Sequence, residues 1–293
     1  MTKIGEILAA GPSFSFEFMP PRDDQMLRQF EKTLRELEPL APSFCSVTYG
    51  AGGSTRERTL DAVLHVQHGT PLVAMPHLTC VGQTRGEIEA LITRYRDEGI
   101  ENVLALAGDP PIVEGAPRGD FRFATELIEL AREVADFSIG VAAFPEVHPD
   151  SPDRAEDRRR LAAKLEVADF AITQFFWSAD AYLRLRDELD ALGSTTPVIP
   201  SLFPIANAKV AERITRTNGA EWPSWLADRL EGLTDAEEIR RIGVEVACEI
   251  GAEVLRHDPP GLHIYTLNRS DSASEIWHNL GLTERRGQEN PSS

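Results

Sequence analysis

The chain has 293 residues, enough for one large core or two small ones, and its 42% hydrophobic and 26% charged residues are ordinary for a globular protein. A formal net charge of −17 argues against a general nucleic-acid or anionic-membrane surface, and no run of about 18 apolar residues suggests a transmembrane helix. Three scattered cysteines without a C-x-x-C pair give no disulfide framework or zinc ribbon, and an N-terminus without an apolar core and cleavage site points with them to the cytoplasm.

In chain order, the first apolar segment is FSFEF at 14–18, a buried strand carrying one carboxylate, Glu17. A buried charge is costly unless it is paired, neutralised or needed. The next stretch places Met26, Phe30, Leu34 and Leu37 at helical spacing. Strand-like segments follow at 44–50, 72–80 and 102–108, then at 138–148, 170–177, 197–205 and 262–268. Between them lie further helical patterns. Ile88, Leu91, Ile92 and Tyr95 mark one face, with Gly99 as a C-terminal stop. Ile239, Ile242, Val246, Ile250 and Val254 mark a longer one, preceded by an extra helix in EWPSWLADRL. Strand–helix alternation predicts parallel strands with right-handed crossovers, and eight units in this length predict an α/β fold, a (β/α)8 TIM barrel. The runner-up, a doubly wound open sheet, lacks a G-x-G-x-x-G after any strand. With no linker, residues 1–293 read as one domain with extra helices before strand 8 and a polar, frayed tail from about 283.

In such a barrel chemistry sits at the C-terminal strand ends. Glu17, Thr48, Tyr49, His77, Thr79, Asp109, Glu146, His148, Gln174, Asn268 and Arg269 all fall there. His77, Cys80, Asp109, Glu146 and His148 are of metal-ligating type, but no paired ligand spacing is present and no metal is expected. AGGSTRERT at 51–59 reads equally as an anion-binding loop or as a flexible loop with a helix cap at Ser54 or Thr55.

Seven segments, FEFMPPR, SVTYGAGGS, PHLTC, LALAGDPP, AAFPEVHP, AITQFFW and YTLNRS, resemble in order the hallmarks of the methylenetetrahydrofolate reductase family over residues 14–282. The resemblance implies a (β/α)8 barrel that reduces 5,10-methylenetetrahydrofolate to 5-methyltetrahydrofolate with NADH or NADPH, normally through bound FAD. It implies Glu17 as the general acid that protonates N10 and opens the five-membered ring to an N5 iminium. Burial among Phe14, Phe16, Phe18 and Met19 is expected to raise its pKa. Asp109 and Gln174 match residues that bond the pterin, and Arg269 one near the folate tail. Thr48, His77 and His148 match positions lining the flavin site, and Asp157 and Lys164 are retained beside it.

That flavin site departs from the family pattern. Ala107 replaces an arginine, Phe123 and Phe144 replace tyrosines, and Arg160 stands where a smaller polar residue is usual. Each lost charged hydrogen bond costs about 1.5–3 kcal/mol and each neutral one about 1 kcal/mol, so FAD is expected to bind weakly or not at all. The first reading is therefore direct hydride transfer from nicotinamide to the folate iminium. The alternatives are a conventional FAD enzyme in which Arg160 supplies the missing charge, or a non-catalytic folate-binding barrel. The partners are a tetrahydrofolate-type substrate and a nicotinamide dinucleotide, with no nucleic acid or membrane. Family members are often oligomers, yet no long exposed apolar stripe demands an interface.

Overall fold

Period-two alternation sorts the first strand into two faces. The computed structural model describes residues 2–49, 56–108 and 119–286. It begins with α1 (Ile4–Ala10), β1 (Ser13–Phe18), α2 (Asp24–Leu37), β2 (Cys45–Val47), α3 (Arg56–Gly69), β3 (Ala74–Thr79) and α4 (Arg85–Asp97). Next come β4 (Asn102–Leu106), α5 (Ala124–Val134), β5 (Ser138–Ala143), α6 (Arg154–Leu165), β6 (Phe170–Thr173) and α7 (Ala179–Ala191). The chain continues through β7 (Val198–Ile199), β8 (Ser201–Leu202), α8 (Ala208–Thr217), α9 (Ser224–Leu230), α10 (Ala236–Leu255), β9 (Gly261–Tyr265), α11 (Ser270–Asn279) and α12 (Leu282–Arg286). Phe14 and Phe16 pack on Trp277 of α11 and Phe18 packs on Phe30 of α2, so the phenylalanines face the helices. Ser15 and Glu17, on the other face, meet His263 inside the barrel.

The strands run parallel in the order β7-β6-β5-β4-β3-β2-β1-β9-β8. The expected seventh strand is two short ones, because Pro200 has no N–H to give the ladder. β7 pairs with β6, and β8 pairs with β9. The Pro200 carbonyl still accepts from His263 N at 2.9 Å. The sheet is thus a nearly closed (β/α)8 barrel, with α8, α9 and α10 as the extra helices before its last strand.

The sequence does not announce α1, which plugs the N-terminal end. Ile4 N donates to Asn102 Oδ1 at 2.7 Å and Gly5 N to Ser138 Oγ at 3.0 Å, at the starts of β4 and β5. Ile4 joins Phe44, Met75, Leu104, Phe170, Ile172 and Ile199 in an apolar layer. Gly140 makes room for it, since a Cβ there would lie 2.4 Å from the Phe170 ring. Ile88, Leu91, Ile92 and Tyr95 of α4 are buried as their spacing predicts, and a Thr84–Glu87 capping box starts that helix. The tail is less frayed than its polarity predicts. α12 occupies Leu282–Arg286, and Thr283 Oγ1 accepts from Trp277 Nε1 at 2.9 Å. Residues from 287 onward lie outside the described ones.

The turn after β9 ties the two central strand ends together. Leu267 and Asn268 have φ of 51° and 55°, a left-handed conformation that costs a non-glycine residue about 1–2 kcal/mol, less for asparagine. Asn268 is held by its side chain, which accepts from Met19 N at 2.9 Å and donates to Met19 O at 2.8 Å. Thr33 Oγ1 and Gln29 Nε2 donate to its carbonyl. Replacing Asn268 with Ala should lower unfolding free energy by about 2 kcal/mol, from two lost hydrogen bonds and a poorer left-handed residue. Urea denaturation measures it, and a loss below about 0.5 kcal/mol would show that the clamp contributes little to stability.

Candidate active site

Glu17 leaves β1 on the inner face near the C-terminal mouth. Its Oε2 lies 3.4 Å from His77 Nε2 of β3 and 3.5 Å from His263 Nε2 of β9. All three residues are buried. His77 Nε2 is at ion-pair distance but has no aligned hydrogen bond among the described residues. His263 Nδ1 shares a 2.7 Å hydrogen bond with Ser15 Oγ, and its Nε2 lies 3.3 Å from Ser46 Oγ. Tyr265, the register partner of Glu17, donates its hydroxyl to Gln174 Oε1 at 3.1 Å. Glu17, His77, His263, Tyr265 and Gln174 therefore form one connected polar cluster above the apolar layer.

The expectation of a raised Glu17 pKa fails, because two imidazoles face the buried carboxylate while the phenylalanines pack on the helices. Burial is the largest single influence and raises the pKa, but attraction to His263 and His77 together outweighs it and brings the group down to about 2. Burial and the nearby Glu17 charge both keep the Tyr265 phenol well above its ordinary range, so it stays a neutral donor to Gln174.

The other predicted residues are spread around the mouth. Thr48 follows β2, and its carbonyl accepts from Thr59 Oγ1 at 3.3 Å. Arg269 caps the start of α11, exposed, beside a cavity of about 490 Å³ whose lining includes Met19, Met26, Gln29 and Lys32. Asp109 and the glycine-rich loop at 50–55 lie outside the described residues.

His148, Asp157 and Lys164 do not join the Glu17 cluster. His148 Nδ1 accepts from Asp150 N at 3.1 Å, and its ring edge meets Phe144 at 4.5 Å. Asp157 is consumed locally: its Oδ1 accepts from His148 N and Ser151 Oγ, and its Oδ2 faces Arg158. Lys164 Nζ donates to Ala142 O at 2.7 Å, and burial lowers its pKa to about 8 although Asp157 pulls it up. Arg160 is exposed and pairs with Glu156 at 2.8 Å.

Sequence reasoning missed His263, Ser15, Ser46, Tyr265 and Arg158. Buried Arg158 donates to the carbonyls of Phe144, Pro145 and Glu146 and to Glu188, fixing the loop after β5. The signal for Ser15, His263 and Tyr265 was period two: Ser15 and Glu17 share a face, as do His263 and Tyr265.

Glu17's native pKa of about 2 lies below its ordinary 4.5. Its ionised form therefore stabilises the fold above pH 4.5, and that contribution is lost as pH falls towards 2. Between about pH 5 and pH 3 the wild type should lose about 2 kcal/mol more stability than Glu17→Gln, by urea unfolding at each pH. Equal losses would remove the depressed carboxylate.

A model of the family described as methylenetetrahydrofolate reductase matches residues 3–281. The chain is 38% identical over 270 residues to the 5,10-methylenetetrahydrofolate reductase of Salmonella typhimurium, covering 92% of this chain and 90% of that one. It is 35% identical over 301 residues to a probable methylenetetrahydrofolate reductase (NADH) of Oryza sativa subsp. japonica, covering 96% of this chain and 50% of the plant one. A solved structure of a Clostridium thermocellum protein that binds two copies of 5-methyl-5,6,7,8-tetrahydrofolic acid superposes with a TM-score of 0.70. It covers 95% of this chain and 98% of its own at 16% identity, a likeness of fold. With a family model spanning nearly the whole barrel and relatives this similar along it, the chain belongs to the methylenetetrahydrofolate reductase family.

Proposed function

We propose that this oxidoreductase converts 5,10-methylenetetrahydrofolate to 5-methyltetrahydrofolate, taking hydride directly from NADH or NADPH. The observation that carries the reading is the buried Glu17 carboxylate, backed by two imidazoles at the C-terminal mouth of a barrel of this family. A site that only bound folate would not need a buried proton donor.

Glu17 turns Oε2 to the imidazoles, while Oε1 makes no hydrogen bond among the described residues. His263 and His77 hold the free carboxylate ionised, so the proton it delivers reaches it from a neighbouring donor. Folate N10 receives that proton, the bridge opens to an N5 iminium, and the methylene carbon takes hydride from C4 of the nicotinamide. Gln174, steadied by Tyr265, offers the pterin its amide, and Asp109 meets the pterin's N–H groups. Arg269 takes a carboxylate of the folate tail. The nicotinamide stacks on the pterin with reacting atoms about 3–3.5 Å apart.

The described residues do not fit a flavin dinucleotide. Ala107 has no guanidinium, and Phe123 and Phe144 have no hydroxyl. Asp157 is spent on its own loop, Lys164 on a strand carbonyl and Arg160 on Glu156.

Steady-state kinetics test the scheme. The purified protein should be colourless, and double-reciprocal plots against nicotinamide and folate should intersect, as a ternary complex requires. Glu17→Gln should lower turnover at least about 100-fold while leaving the fold intact. Parallel lines with stoichiometric yellow flavin would restore the conventional FAD enzyme. More than half the turnover in Glu17→Gln would remove the acid, and no turnover in the wild type would leave a folate-binding barrel.

A further inference from the structure

His263 has no solvent exposure, so it meets no substrate and can act only through a neighbour. Its ring is fixed from several sides. Nδ1 bonds Ser15 and Nε2 bonds Ser46, both serines being fully buried. Phe44 stacks on it at 5.7 Å with planes 18° apart, and the backbone N–H is held by Pro200 O. The layer just below is filled by aliphatic and aromatic side chains. A leucine would satisfy packing there without two buried serines to serve it, and burying an imidazole with its partners costs more than burying hydrocarbon. Tyr265 meets the ring edge-on at 6.1 Å, and the acidic group beside it is Glu17, with Oε2 at 3.5 Å from Nε2.

We propose that His263 is a positioning residue for the acid step: it orients the Glu17 carboxylate and supplies the proton that Glu17 passes to the folate nitrogen. The inference rests on the reduction proposed above. His263 Nε2 first gives its proton to Glu17 Oε2, the neutral carboxyl turns, and N10 then takes that same proton from it. The imidazole becomes neutral, the carboxylate returns to its anion, and no electrons move in this transfer. After product leaves, His263 regains its proton by the same path. The groups facing Glu17 are His77 from β3 and His263 and Tyr265 from β9. His263 and His77 together hold the carboxylate ionised against burial.

The test is a double-mutant cycle. His263→Gln places an amide near the Nε2 position but carries no transferable proton. Its kcat should fall at least about tenfold, with the folate KM changed less than about threefold, because general acid catalysis is lost while the binding surface remains. In the Glu17→Gln background the same change should cost nothing further, since the two residues act as one unit. Losses that multiply, or more than half the wild-type kcat in His263→Gln, would overturn the proposal. If melting curves show that His263→Gln does not fold, Ser15→Ala decides. It keeps the imidazole and frees Nδ1, so kcat should drop about threefold or more, and an unchanged kcat would overturn the proposal. High activity in Glu17→Gln would strike the acid assignment itself, which is a different failure.

Discussion

A carboxylate buried against two imidazoles is the constraint around which the mouth of this barrel is built. An unpaired buried charge would cost several kcal/mol, so β3 and β9 must both deliver a histidine to the end of β1. That requirement fixes strand register, since Glu17 can lie between His77 and His263 only if β9, β1, β2 and β3 are staggered as they are. The Asn268 clamp joins the ends of β1 and β9, and the Pro200 carbonyl holds His263 from the far side. Below the cluster the apolar layer and α1 close the barrel to water.

Much of the fold was legible in the sequence, because burial on helices repeats at a spacing a single chain can reveal. The α4 and α10 faces are where Ile88, Ile92, Ile242 and Val246 place them. Strand ends were harder. The segment at 197–205 reads as one apolar run, and only the geometry at Pro200 divides it between two neighbours. α1 has seven residues, too short to show a clear period.

Glu17 stood out as a charge within an apolar run, but its surroundings were misread. FSFEF looks like a hydrophobic nest for the carboxylate. In fact Phe14, Phe16 and Phe18 face helices, and the residues beside Glu17 come from distant parts of the chain. His263 is 246 positions from Glu17 along the sequence, by subtraction of their numbers, so no local pattern could join them. The direction of the pKa shift depends on those partners and was not readable from neighbouring residues. In the loop after β5, Asp157 and Lys164 match cofactor-lining positions in sequence, and in the fold Asp157 accepts from His148 N while Lys164 donates to Ala142 O. Arg158, between them in the chain, fixes the carbonyls of that loop.

If Glu17 only relays the proton that reaches folate N10, as a carboxylate held ionised by His263 and His77 must, its resting form is the anion. Infrared difference spectroscopy between the wild type and Glu17→Gln at neutral pH reads this directly. A carboxylate stretch present in the wild type and missing from the variant, with no protonated carboxyl band, is the result the buried Glu17–His77–His263 cluster requires. A protonated carboxyl band belonging to Glu17 would contradict it and return the acid to a simple, burial-raised glutamic acid.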